Sequence, residues 1–185
     1  MFKKFKTKEL VFIALMGALS FILAISLGTL LTVITGIPLM GGMILNWLIA
    51  YLFILTALVV KKFGVVTLTL FIYSVLSIPT NNFGPPGIYK LIIGISLGLL
   101  LDIILYSGKY KKWTYYFGAA LGFLIVMHYL YLFLKLLEIP LAHRIAPFVI
   151  IFMSVYCIQG LLGAWLARLT YRRIKDKRII KQIED

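Results

Sequence analysis

The run from Leu10 to Val60 holds no Asp, Glu, Lys or Arg, and inside it stands Thr35-Gly36-Ile37-Pro38-Leu39-Met40-Gly41-Gly42. A membrane-crossing helix takes about 20 apolar residues, so the run has length for two helices if something divides it. The interruption does so: proline lacks the N–H that continues a helix, and the glycines around it tolerate a turn. Helix 1 is therefore expected at 10–35 and helix 2 at 43–60. Lys61-Lys62 follows, then a shorter apolar run read as helix 3 at 63–78, which ends at Pro79-Thr80-Asn81-Asn82-Phe83-Gly84-Pro85-Pro86-Gly87, the strongest loop signal in the chain. Further outward the same reading gives helix 4 at 88–106, helix 5 at 113–137, helix 6 at 145–167 and a basic tail at 168–185.

Composition agrees with this division. The 185 residues are 62% hydrophobic and 14% charged, with a mean hydropathy of +1.03, against roughly 45–50% apolar content in soluble domains. A soluble globular fold is excluded, and the connections are too short for a second domain. The apolar segment after Met1-Phe2-Lys3-Lys4 is too long for a signal-peptide core and has no clear small-residue cleavage site, so helix 1 is expected to be retained. The single cysteine, Cys157, excludes a disulfide framework or a thiol-rich zinc site within the chain.

The net charge of +13, from 19 Lys and Arg against six Asp and Glu, has meaning only through its placement. With six helices and both termini inside, the inner segments collect Lys3, Lys4, Lys6, Lys8, Lys61, Lys62, Lys109, Lys111, Lys112, Arg168, Arg172, Arg173, Lys175, Lys177, Arg178 and Lys181, sixteen of the nineteen cations. The other three, Lys90, Lys135 and Arg144, fall outside. An excess of Lys and Arg in short loops marks the cytoplasmic side, so hydropathy and charge predict one topology: an all-α membrane protein, a compact bundle of six transmembrane helices with cytoplasmic N- and C-termini. A nucleic-acid partner is not needed to explain the charge.

Small residues four apart let membrane helices approach closely. They occur as Gly94/Gly98 in helix 4, Gly118/Gly122 in helix 5 and Gly160/Ala164 in helix 6, where packing inside the bundle is expected. In helix 1 the motif is Ala14-Leu15-Met16-Gly17-Ala18, within the first turns after the basic end, where a smooth face could receive a helix from another subunit.

In size, helix number, topology and this AxxxA motif the chain resembles the substrate-binding S components of energy-coupling factor transporters, the vitamin and micronutrient importers of prokaryotes. The resemblance covers the whole chain in plan and five positions in motif. It implies that Ala14, Gly17 and Ala18 dock a T-type transmembrane coupling subunit carried on two ABC ATPases. It also implies capture of a small molecule at the outer face of a prokaryotic cell membrane for ATP-driven uptake. No bound cofactor is expected, ATP being used by the partner subunits, and the chain has no GxxxxGK[ST] phosphate loop of its own. The resemblance places the pocket in the outer halves of helices 4 to 6, under the loops after helices 1, 3 and 5.

The outer residues can be read beside that implication. His128, Tyr131 and Lys135, at i, i+3 and i+7, share one helical face, and ionisable groups in a bilayer are costly enough to suggest function. Equally, a membrane histidine is often a packed hydrogen-bonding residue, and Lys135 has Glu138 within ion-pair spacing. Lys90, at the start of helix 4, is a candidate anion clamp, or else reaches to headgroups or Glu138. Asn81 and Asn82 offer amides to a heterocycle, or serve the turn. Asn46 and Trp47 open helix 2 at the same depth, where tryptophan anchors in the interface or stacks on a planar ligand. His143 and Arg144 either close over the site or meet headgroups. Asp102 is expected to pair with Lys109 or Lys111 and, with Gln159, lies outside the pocket. The excess of outer cations favours an anionic substrate, and Tyr89, Tyr131 and Trp47 admit a planar one.

No metal site is expected: His128 and His143 lack further ligands, and HExxH is absent. An enzyme would need paired carboxylates or a nucleophile beside a histidine and its orienting acid, and the outer half has Glu138 alone. A self-sufficient secondary transporter would show repeats or an ionisable relay. The remaining alternative is a small membrane scaffold of the MreD type, with no transported ligand.

Overall fold

The computed structural model describes residues 4–36, 40–80, 86–136, 138, 146–178, 180 and 183, with side chains at all of these except 40–43, 130, 134 and 146. These residues form α1 (Thr7–Thr35), α2 (Met40–Val59), α3 (Val65–Ser77), α4 (Tyr89–Ser107), α5 (Lys112–Leu136) and α6 (Val149–Ile174), with a 3-10 turn at Ala146–Phe148 and no strand among the described residues. Among the described residues four segments are long and apolar enough to cross a membrane: Thr7–Thr35, Tyr89–Ser107, Lys112–Phe133 and Val149–Ile174.

Local chemistry sets the ends. Glu9, in the first turn of α1, accepts the Lys6 N–H at 2.7 Å and so satisfies a donor that the helix leaves orphaned. At the other end Gly36 adopts the left-handed conformation (φ 67°) and donates its N–H to Thr32 O at 2.9 Å, which closes the last turn. Between Ala164 and Ile174 there is no glycine or proline, and arginine is a good helix former whose charge suits a helix C-terminus. α6 accordingly continues through Arg168, Arg172 and Arg173 to Ile174, about two turns past the expected end at 167. Beyond it, Ile180 and Ile183 are buried.

α2 is the central element. It contacts α1, α3, α5 and α6, while α1 with α3, α3 with α4, α4 with α5, and α5 with α6 make up the surrounding arc. Every residue from 52 to 60 is buried, as expected of a helix that is apolar all round. The small-residue sites make the closest approaches. A Cβ at Gly160 would lie 2.6 Å from Ala119 O, one at Gly163 2.5 Å from Trp47 O, and one at Gly17 2.9 Å from Thr69 O. α6 therefore lies directly against the backbones of α5 and α2, and α1 against that of α3.

The end where α1 begins and α6 finishes is pinned by polar contacts. Lys62 Nζ bonds Glu9 Oε2 at 2.7 Å and Lys4 O at 2.9 Å, and Lys61 Nζ meets the Tyr171 hydroxyl at 2.8 Å.

Candidate functional site

α3 has 13 residues, a length of about 20 Å at 1.5 Å per residue, against a hydrocarbon core of about 30 Å. Its first N–H and last C=O groups have no partners within the helix and must find them elsewhere. Its N-cap is Gly64 (φ 94°), which has no side chain to offer. The missing groups come from α4. Asp102, 1% exposed, accepts Val66 N–H at 3.2 Å, Thr67 N–H at 2.9 Å and the Thr67 hydroxyl at 2.6 Å, with a further backbone bond from Gly64. At the opposite end Lys90, 0% exposed, donates from Nζ to Ser77 O at 2.9 Å and Thr80 O at 2.6 Å.

Anions favour helix N-termini and cations C-termini, so each charge lies at the matching end of the α3 dipole. Between them the same face of α4 carries Gly94 and Gly98. A Cβ at Gly98 would lie 2.5 Å from Thr67 Cα, and one at Gly94 would meet the Ser74 hydroxyl. Lys90, Gly94, Gly98 and Asp102 thus form one four-residue ladder along which α4 holds a short helix at both ends. The expected pairing of Asp102 with Lys109 or Lys111 is corrected: among the described residues the carboxylate is occupied by the start of α3. The four-residue spacing of Lys90, Gly94, Gly98 and Asp102 is present in the sequence, but it does not by itself point to α3.

The other residues named from sequence divide by burial. Asn46 is buried and its amide is hydrogen-bonded to Tyr156 of α6. Trp47 is half-buried beside the α2–α6 crossing at Gly163. On α5, His128 and Lys135 are exposed and Tyr131 is half-buried, while Phe123, Val126 and Met127 supply the packed face. Lys135 is linked to Glu138 through the Glu138 N–H to Lys135 O bond (3.1 Å), with Glu138 left-handed at φ 53°. Tyr89 stacks on Phe133 at 5.1 Å, joining the start of α4 to the end of α5. In α1 the motif splits: Gly17 packs inward against Thr69 and Ile72, Ala14 is exposed and Ala18 half-exposed. Asn81, Asn82, His143 and Arg144 lie outside the described residues. No group of three or more His, Cys, Asp or Glu that could hold a metal occurs among the described residues.

These features define an all-helical bundle with membrane-length apolar helices and an internally capped short helix. Comparison with family models, curated proteins and solved structures finds no match for the chain.

Proposed function

We propose that this chain is a membrane-embedded substrate-binding subunit of an energy-coupling factor transporter. In this reading it lies in a prokaryotic cell membrane with both termini cytoplasmic and captures a vitamin-like small molecule, anionic or planar, at the outer face. Transport is driven by ATP hydrolysed in two ABC ATPases, through a T-type subunit docked on α1. The observation that carries the reading is the surface of α1 near the basic end. Ala14 and Ala18 stand one turn apart on an outward face bordered by exposed Val11, Leu15 and Ile22, a shallow apolar notch of the kind that lets another helix approach closely. Gly17 serves the bundle itself, so the docking role falls to the two alanines. On the outer side, Asn46, Trp47, Tyr131, His128 and Lys135 are the described residues proposed to meet substrate, and Asn81 and Asn82 are proposed with them from the sequence.

One observation favours the second reading, a scaffold of the MreD type without a transported ligand. Lys90, the cation best placed to clamp an anion, is engaged by the carbonyls of Ser77 and Thr80, and His128 and Lys135 are exposed.

The two readings separate in a mild-detergent pull-down of the tagged chain from its native membranes, with proteomics and small-molecule mass spectrometry on the same eluate. Recovery of two ABC ATPases and a T-type membrane subunit, lost in Ala14→Trp or Ala18→Trp, is the expected result. Recovery of cell-wall or morphogenesis proteins with neither ATPase nor metabolite refutes the transporter reading.

A further inference from the structure

At the connection between α4 and α5 the chain turns through Lys109 (φ 51°) and Tyr110 (φ 53°), two consecutive left-handed residues, neither of them glycine. The turn is closed by Lys109 N–H to Tyr106 O at 2.9 Å and Tyr110 N–H to Leu105 O at 2.8 Å. It turns the Tyr110 ring against the apolar core and leaves Lys109, Lys111 and Lys112 exposed. Among the described residues none of these three ammonium groups has an ion pair or hydrogen bond. Of the described carboxylates, Glu9 is held by Lys62 and Asp102 by the start of α3, and Asp176, beyond the end of α6, makes no ion pair with these lysines.

Immediately on the membrane side of the lysines, the surface becomes aromatic. Trp113 is 57% exposed and lies 6.0 Å from exposed Phe117, one turn further along α5; Tyr106, also exposed, meets Phe63 at 5.7 Å. Exposed aromatics bordered by cations mark the headgroup level of a bilayer. Here both belong to one turn and the helix ends it joins.

We propose that the α4–α5 connection is a binding site for an anionic phospholipid. Lys109, Lys111 and Lys112 hold the phosphate and headgroup, and the acyl chains run along Trp113 and Phe117. The proposal rests on the membrane character of the chain and is independent of the transporter reading. A lysine at an anionic membrane surface contributes about a fivefold gain in affinity, so three together favour an anionic over a zwitterionic lipid by on the order of a hundredfold at low salt, and by less as salt screens them.

The test uses the full chain in a neutral detergent. Brominated phosphatidylglycerol and brominated phosphatidylcholine are titrated separately, and quenching of the Trp113 signal is obtained by difference against Trp113→Phe. The expected result is at least tenfold tighter quenching by phosphatidylglycerol, reduced at 1 M salt and abolished in the triple variant Lys109→Asn, Lys111→Gln, Lys112→Gln. Asparagine is chosen at 109 because it tolerates the left-handed conformation. Arg172→Gln with Arg173→Gln removes charge from the same end and should leave the preference in place. Equal quenching by the two lipids overturns the proposal, as does a triple variant that keeps the preference or displacement of the lipid by millimolar inorganic phosphate. If the triple variant does not fold, the salt series and the phosphate competition on the unaltered chain decide the question.

Discussion

Replacing Asp102 by asparagine tests whether α4 caps α3. The carboxylate accepts the N–H groups of Val66 and Thr67 and the Thr67 hydroxyl. Asparagine keeps one acceptor oxygen but turns an NH2 toward donors, and it removes the charge that complements the helix dipole. A buried donor left unsatisfied costs about 1–3 kcal/mol, and the charge–dipole contribution reaches about 2 kcal/mol when partly buried. The expected loss is therefore about 2–4 kcal/mol for Asp102→Asn and about 3–5 kcal/mol for Asp102→Ala. Lys90→Met should cost less, about 1–2 kcal/mol. Ser77 O retains the Thr80 N–H at 3.1 Å and the Thr80 hydroxyl at 2.9 Å, so Thr80 O is the main acceptor affected. Loss of a desolvated ammonium offsets part of even that cost. Twelve positions separate the two residues, about 18 Å along the helix, so the two effects should add. Equilibrium unfolding in mixed micelles with increasing SDS measures the parent, the three single variants and the double variant Lys90→Met with Asp102→Asn. The reasoning is refuted if Asp102→Asn stays within about 0.5 kcal/mol of the parent, or if Lys109→Gln or Lys111→Gln reproduces its loss, since that would restore the pairing along α4 in place of the cap on α3.

Three further outcomes follow from particular contacts. A Cβ at Gly28 would meet nothing within 4 Å, so Gly28→Ala should stabilise α1 by about 0.5–1 kcal/mol in the same unfolding assay, through helix propensity alone. Glu9→Gln weakens the 2.7 Å contact with Lys62 at the start of α1 and should cost about 1–3 kcal/mol, with earlier proteolysis near residue 4 as a local readout. Burial, aided by the nearby Asp102 carboxylate and Tyr106, pushes the Tyr110 phenol well above its ordinary value. A pKa higher in the folded than in the unfolded state gives stability that is complete below about pH 10 and declines as pH rises beyond it. Melting temperature should therefore fall above pH 10 in the parent and fall less in Tyr110→Phe, which should be neutral or slightly stabilising at pH 7 because the hydroxyl is buried without a partner.

How far the sequence could be read depended on the range of the interaction. The break at Thr35-Gly36 and the Pro79 loop were legible because a stop needs only local residues: Gly36 takes the left-handed conformation in which helices end. The role of Asp102 was not, because a reading along α4 offers it Lys109 and Lys111, whereas its partners arrive from the start of α3, 35 or 36 positions away. The spacing of His128, Tyr131 and Lys135 puts them on one helical face, but spacing alone could not say which face of α5 meets the bundle; in the structure His128 and Lys135 are exposed and Tyr131 half-buried. The same limit applies to Ala14 and Gly17, whose opposite directions depend on where α3 lies.

The glycines of α4 do more than permit packing, since Asp has a short side chain and can cap α3 only if the two backbones nearly touch. Helices separated by ordinary side chains lie about 8–10 Å apart between axes, which would carry the Asp102 carboxylate out of reach of the Val66 and Thr67 N–H groups. Gly98 lies one turn from Asp102 on the same face, and a Cβ there would stand 2.5 Å from Thr67 Cα, the residue whose N–H and hydroxyl the carboxylate accepts. A large side chain at 98 should therefore break the cap as well as the packing. Gly98→Leu is expected to cost about 3 kcal/mol or more, and adding Asp102→Asn to it should cost little further, giving a coupling of about 2–4 kcal/mol, close to the whole loss expected for Asp102→Asn alone, in a double-mutant cycle. Simple additivity would refute this coupling, because it would mean that Asp102 still reaches α3 after the helices have been forced apart.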